Sequence, residues 1–356
     1  MSERLHPPET PETPETPETP ETPETPETPE TPETPETPAT TVSPTSTSPV
    51  RTRLKARRPD GHRKISGPPR DRIGYLFLTP WFIGMALFTV GPILASLYLS
   101  FTEYTLLKPP EWLGLDNYRE MLADPRLHKS LLVTFVYVFV SVPIQLVLAL
   151  ALALLLNRGV RGLSFYRSVY YLPSLLAGSV SIAILWRQIF GKDGLVNQVL
   201  ALFGTEGVSW VSHPDFALGT LVLLNAWTFG APMVIFLAGL RQIPTSYYEA
   251  AQVDGAGTVT RFFHITLPML TPIIFFNLVL QLIGAFQSFT QAFVVSGGRG
   301  GPSDSTLLYT LYLYERGFGS FDMGYASAMA WFLLAIIAVL TGINFLFARR
   351  WVFYGG

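Results

Sequence analysis

The sequence predicts an all-α polytopic membrane protein of six transmembrane helices, with both termini cytoplasmic. Three observations predict it. The 356-residue chain is 48% hydrophobic and only 14% charged, whereas a soluble domain carries about a quarter charged residues. Six apolar segments follow residue 72, each near the roughly 20 residues that cross a bilayer, and none contains Asp, Glu, Lys, Arg or His. Basic residues gather in alternate loops, which fixes an orientation.

Residues 1–72 read as a disordered cytoplasmic tail. Residues 8–37 repeat Pro-Glu-Thr without interruption. Such a segment has no apolar face whose burial would offset the entropy of ordering. It reads as an extended, polyproline-like acidic spacer. A basic stretch follows, from Arg51 to Arg72. No apolar run precedes residue 73, so no secretory signal is expected. Nucleic acid is the other partner a basic stretch attracts. Its place directly before a membrane helix favours anionic membrane lipids and no nucleic acid.

The transmembrane domain, 73–350, holds the spans Ile73–Phe101, Ser130–Leu156, Ser168–Trp186, Phe216–Leu240, Leu267–Ser296 and Met323–Ala348. Several carry proline, among them Pro92, Pro143, Pro173, Pro232 and Pro272, which membrane helices tolerate. Arg158, Arg161 and Arg167 lie between the second and third, Arg241 and Arg261 between the fourth and fifth, and Arg349 and Arg350 after the sixth. All share the side of the basic stretch if both termini are inside. The opposite loops mix acidic and basic residues. Residues 351–356 form a short C-terminal tail.

The segment from Arg241 to Pro268 is the informative loop. Pro244 is expected to end the preceding helix. Ser246 and Glu249 have the S-x-x-E capping spacing that starts a new one. Asp254-Gly255 should break it, with Gly255 in a backbone conformation that a side chain would oppose. A second short helix is expected from about Thr258 to Ile265. Tyr247, Tyr248, Ala251, Phe262, Phe263, Ile265 and Leu267 make the loop apolar for one facing cytosol. An apolar helical knob is built to dock in a groove on another protein.

Glu249-Ala250-Ala251, Asp254-Gly255-Ala256, Ile265 and Leu267-Pro268 stand at the spacing of the EAA loop, and the chain resembles the permease subunits of binding-protein-dependent ABC sugar importers. Trp112 to Tyr118, Phe165-Tyr166-Arg167, Leu172-Pro173, Gly194 to Asn197, Asn225-Ala226-Trp227 and Gly300-Gly301-Pro302 extend the resemblance, which is to the maltose and glycerol-phosphate type. It implies a multi-pass protein of the bacterial cell membrane in which this loop seats in cytoplasmic ATP-binding subunits. It further implies a second, non-identical permease subunit, an extracytoplasmic solute-binding protein and transport by alternating access. It places Asn225, Gly230, Gln281 and Ser288 near a sugar pathway. It implies nothing about the Pro-Glu-Thr tail.

The residues themselves agree on energy source and solute. No G-x-x-x-x-G-K-[ST] loop occurs, so ATP is hydrolysed elsewhere or transport is passive. A passive channel or secondary carrier for a neutral solute is the alternative. Carriers often keep ionisable groups in the membrane; none is seen here, which also disfavours a charged substrate. Neutral polar residues instead recur in the spans, including Ser174, Asn225, Thr228, Asn277, Gln281, Ser288 and Gln291. Gln281 and Ser288, seven apart, are expected on one helix face. Amides and hydroxyls suit a sugar or polyol, and they also join helices by hydrogen bonds. The chain has no Cys, its five His show no H-E-x-x-H spacing, and no G-x-S-x-G elbow appears. No enzyme activity, metal or cofactor is expected.

Overall fold

Proline and glycine positions explain how the apolar segments fold. A computed structural model describes residues 70–353 apart from 160, 177 and 206, all within one unit, Pro68–Gly356. The Pro-Glu-Thr repeat, the basic stretch up to residue 69 and residues 354–356 lie outside the described residues. Helix α1 (Arg70–Met85) passes through a π turn, Ala86–Val90, into α2 (Gly91–Leu99). Pro92 has no N–H for the Phe88 carbonyl, and the wider turn absorbs the missing bond. A two-residue hairpin follows, β1 (Thr102–Glu103) antiparallel to β2 (Glu111–Trp112) with Thr102 opposite Trp112. Then come α3 (Asp116–Ala123) and α4 (Pro125–Leu156). The Asp124 carboxylate caps α4 by accepting the Arg126 and Leu127 N–H groups, and Pro125 occupies the first turn, where no N–H is needed.

Helices α5 (Leu163–Leu176), α6 (Val180–Ile189), α7 (Leu195–Leu202), α8 (Pro214–Trp227) and α9 (Gly230–Leu240) follow. The loop helices are α10 (Thr245–Val253) and α11 (Thr258–Arg261), and α11 runs through a π turn, Phe262–Thr266, into α12 (Leu267–Phe286). The chain closes with α13 (Thr290–Val295), a 3₁₀ turn at Pro302–Asp304, α14 (Tyr309–Tyr314), a π turn at Glu315–Gly319 and α15 (Met323–Trp351). Phe77–Leu99, Pro125–Leu156, Thr258–Phe286 and Met323–Trp351 are each long and apolar enough to cross a membrane; the bent pairs α5–α6 and α8–α9 raise the count to six. The chain is thus an all-α, multi-pass membrane protein.

Three spans differ in detail from the sequence reading. The third is not one helix: α5 and α6 meet at 96°, and Ser179 starts α6 by accepting the Ser181 N–H. The fourth bends by 41° between α8 and α9. Pro232 cannot donate to the carbonyl four residues back, that of Thr228, so the helix opens there. The fifth stops at Phe286 rather than running to Ser296. Ser288 therefore lies beyond the helix end, and the expected common face with Gln281 does not form.

Helix α4 is the hub, packed by α8, α9, α12 and α14. Ala149 and Ala153 are wholly buried on it. With no water to expel from between lipid-bathed helices, association depends on close packing of small residues. Gly230 shows the same device. A Cβ there would run into the Tyr170 carbonyl and the Tyr171 backbone, so only glycine lets α9 lie against α5.

Candidate functional site

The segment between α9 and α12 is a preformed, two-limbed knob. Helix α10 ends in paired reverse bonds: Gly255 N–H to the Gln252 carbonyl at 3.1 Å and Ala256 N–H to the Ala251 carbonyl at 2.8 Å. This closure needs a left-handed residue after the helix, and Gly255 supplies it at φ 76°. The Ser246–Glu249 capping box does not form. The N-cap is Pro244, whose extended backbone starts the helix without a side-chain bond, so Ser246 is already inside it. The second limb is not a separate helix either. It is the first two turns of a continuous helix from Thr258 to Phe286. Pro268 removes the N–H that would reach the His264 carbonyl, and the π turn carries the helix past it, with Leu267 N–H bonding the Phe262 carbonyl. The Tyr248 hydroxyl lies 3.0 Å from Thr266 Oγ1 and ties the limbs together.

The knob exposes apolar side chains: Val253 is 88% and Val259 70% exposed, with Tyr247 and Phe263 also out. Glu249, Ala250, Asp254 and Gly255 are exposed. Ala250, Ile265 and Pro268 converge on one groove of about 370 Å³, closed by Tyr247, His264 and Phe353. Ala251, Ala256 and Leu267 are half-buried. A second cleft, about 570 Å³, runs between Val259 and Phe263 on the knob and Asn157 and Arg158 after α4. A largely apolar, concave and prefolded surface of this kind can seat a protein partner.

Inside the spans, α4 carries a polar spine. Ser130, Thr134, Tyr137, Ser141 and Gln145 recur at helical spacing and are all buried. Thr134 Oγ1 accepts the Tyr309 N–H at 2.8 Å. Gln145 serves the break between α8 and α9. Its Nε2 donates to Thr228 Oγ1 at 2.8 Å and to the Thr228 carbonyl at 3.2 Å, and its Oε1 accepts from Asn225 Nδ2 at 3.3 Å. Ser174 on α5 completes the repair: its hydroxyl donates to the Thr228 carbonyl at 2.8 Å and accepts the Ala231 N–H at 3.0 Å. The carbonyl orphaned by Pro232 is thereby satisfied from two neighbouring helices, as a membrane interior requires.

The four residues of the expected pathway thus part company. Asn225 joins the Gln145 network. Gly230 is buried and sets the α5–α9 distance. Gln281 is half-buried on α12 without a hydrogen bond among the described residues. Ser288 bonds Gln291 at 3.3 Å, and its carbonyl accepts from Thr310. Sequence reasoning missed Gln145 and the α4 spine. Their spacing was there to read, but only span-by-span inspection of polar positions would have found it. Among the described residues, the buried Asn277 Oδ1 and Ser141 Oγ have no hydrogen-bond partner.

The far end of α4 lies about 48 Å along the helix from its end beside the knob, at 1.5 Å per residue over its 32 residues. There Asp124 accepts from the hydroxyls of Tyr312 at 2.6 Å and Tyr325 at 2.8 Å. Burial pushes the Asp124 carboxylate up, but those two hydroxyls and the Leu127 and Arg126 N–H groups outweigh it and hold the group below its ordinary value. Arg126 forks onto both oxygens of Asp304 at 3.1 Å and reaches Glu315 at 2.6 Å. Arg316 bridges Glu120 and Asp322.

Residues 122–352 match the family described as binding-protein-dependent transport system inner membrane component. The probable ABC transporter permease protein YesP of Bacillus subtilis (strain 168) is 52% identical, over 83% of this chain and 96% of its own. The lactose transport system permease protein LacF of Rhizobium radiobacter is 34% identical, over 79% of this chain and 95% of its own. A solved bacterial alginate ABC transporter, in complex with a pentasaccharide-bound periplasmic protein, contains a chain of like fold. Its TM-score is 0.67 at 22% identity, covering 79% of this chain and 95% of that one.

Proposed function

The chain belongs to the family of inner membrane components of binding-protein-dependent transport systems, and from that premise we propose that it is the permease subunit of an ATP-driven importer for a saccharide or related polar solute. The relatives' names support the solute class, lactose and arabinooligosaccharides among them. The partners on this reading are cytoplasmic ATP-binding subunits, a second and non-identical permease, an extracytoplasmic binding protein and the lipids of a bacterial inner membrane. Both termini face the cytoplasm.

The observation that carries the reading is the exposed, prefolded knob between α9 and α12. On this reading it is the ATPase seat. Glu249, Ala250, Asp254, Gly255 and Ala256 form its rim, and Ile265, Leu267 and Pro268 anchor it to α12. Because the second limb is continuous with α12, a pull on the knob moves a membrane span as a rigid lever. Asn225, Gly230, Gln281 and Ser288 line or support the solute pathway.

Co-purification with the ATPase tests this. Wild type should retain the subunit, whereas Gly255→Asp and Glu249→Lys should retain little while still reaching the membrane. Equal retention by all three would remove the knob as the seat. Gln281→Leu should impair uptake at unchanged membrane abundance; normal uptake would remove it from the pathway.

A further inference from the structure

Helix α7, in the connection between α6 and α8, turns its apolar residues outward. Leu195, Val199 and Leu202, spaced i, i+4 and i+7, share one stripe. Leu195 and Val199 are exposed, Leu202 is 83% exposed, and Phe203, directly after the helix, is 80% exposed. The opposite face is polar and shut away. Asn197 is buried there; its Nδ2 donates to the Gly191, Lys192 and Val208 carbonyls at 3.1, 2.8 and 2.7 Å, and its Oδ1 accepts the Trp210 indole N–H at 2.7 Å. A helix bathed in water has the reverse arrangement.

The outward stripe is held by its surroundings. A Cβ on Gly194 would run into the Gln188 and Ile189 carbonyls at the end of α6, and one on Gly207 into the Asn197 side chain. Gly204, at φ 74°, closes the helix, with the Thr205 N–H on the Leu200 carbonyl at 3.2 Å. Rolling the stripe inward would break the Asn197 bonds. Only residues 190–194 separate α7 from α6, which is the second half of an apolar, bent span. The exposed side chains of α6 include Val180, Ile184 and Leu185, so the apolar surface of the span continues onto α7. Aromatic rings stand at the junction: Trp186 lies 4.9 Å from Phe190, and Trp210 lies 5.1 Å from Phe216 of α8. Trp gathers where bilayer meets water, its ring in the apolar zone and its N–H bonded. Helix α7 carries no charged residue, so it offers a protein partner no charge complementarity.

We propose that α7 is an interfacial anchor whose apolar stripe lies in the bilayer leaflet at the end of α8–α9 opposite the knob, among the first carbons of the acyl chains. The Asn197 bonds join α7 both to the turn after α6 and to the stretch before α8. The leaflet thereby holds the ends of the third and fourth spans at one depth. The inference goes beyond the importer reading and rests only on the chain being a multi-pass membrane protein.

The test reads the depth of the stripe directly. The chain has no Cys, so one introduced cysteine takes one nitroxide label. Full-length Leu195→Cys, Val199→Cys and Leu202→Cys are labelled in phosphatidylcholine nanodiscs, with Ala201→Cys on the exposed edge nearer Asn197 as the comparison. Collisions are measured with oxygen, which concentrates among acyl chains, and with a water-soluble nickel chelate. The oxygen-to-nickel ratio should be severalfold higher at 195, 199 and 202 than at 201. Unchanged melting of each labelled variant excludes misfolding, and three positions on one stripe keep the result from depending on any single one. A ratio as low along the stripe as at 201 puts α7 in water and overturns the anchor. Few collisions with either reagent along the stripe would mean that protein covers it, which overturns the anchor as well. No readout involves ATP or solute, so failure of the importer reading leaves this result standing.

Discussion

Two glycines of the knob separate conformation from space. Neither Gly255 nor Gly257 has any atom within 4 Å of an added Cβ, but Gly255 sits at φ 76° and Gly257 at φ −69°. Gly255→Ala should therefore destabilise the loop by about 1–2 kcal/mol and lower ATPase retention, while Gly257→Ala should do neither; paired pull-downs and melting curves check this. The motif spacing marked Gly255 in the sequence, and its φ bears out the expected backbone. Ser246 shows the limit of such reading. Its spacing to Glu249 fits a capping box, but the proline two residues earlier already sets an extended N-cap, and the serine falls inside the helix.

Breaks in helices are decided between elements. Pro232 frees the Thr228 carbonyl, and Ser174 and Gln145 bind it from α5 and α4. Ser174→Ala should cost about 1 kcal/mol by removing one of the two donors to the Thr228 carbonyl and the acceptor of the half-buried Ala231 N–H. In a Pro232→Ala background the loss should shrink, because the substituted residue has an N–H that can serve the Thr228 carbonyl. A double-mutant cycle on melting free energies measures that coupling, and strict additivity would refute the repair. The prolines were plain in the sequence. Which side chains mend each break was not, since the partners lie 54 and 83 residues away. At the far end of α4, the Asp124 carboxylate is held below its unfolded value near 3.8. Its contribution is thus present above that pH and is lost as pH falls through the lower folded value. Asp124→Asn should melt earlier than wild type at pH 5–7 by a constant margin that closes below about pH 3.8. A margin that persists at low pH would exclude the carboxylate as its source.

Across the whole molecule, burial is uneven. None of the Phe77–Leu99 window is buried inside the chain, against 39% of the α4 window. The first span meets the rest through α2 against α15, and Phe77 and Phe88 are largely exposed. On the importer reading proposed above, lipid or a second permease covers such a surface. Anything that binds only the folded chain stabilises it. Co-expression with the second permease should therefore raise the melting temperature by about 4 °C, and a photo-crosslinker at position 88 should report which neighbour is present. Crosslinking to neither partner permease nor lipid would remove the first span from any interface.

The all-α class, the apolar spans and the glycine turn of the loop between α9 and α12 were legible in the amino-acid sequence because they depend on local quantities. A bilayer demands runs of apolar residues, a helix end demands glycine at positive φ, and a proline withholds one N–H wherever it stands. The bends, the early end of the fifth span and the Gln145 network depend on which distant groups meet. Tertiary structure alone decided those, because an orphaned carbonyl is satisfied by whatever partner packing brings within hydrogen-bond reach.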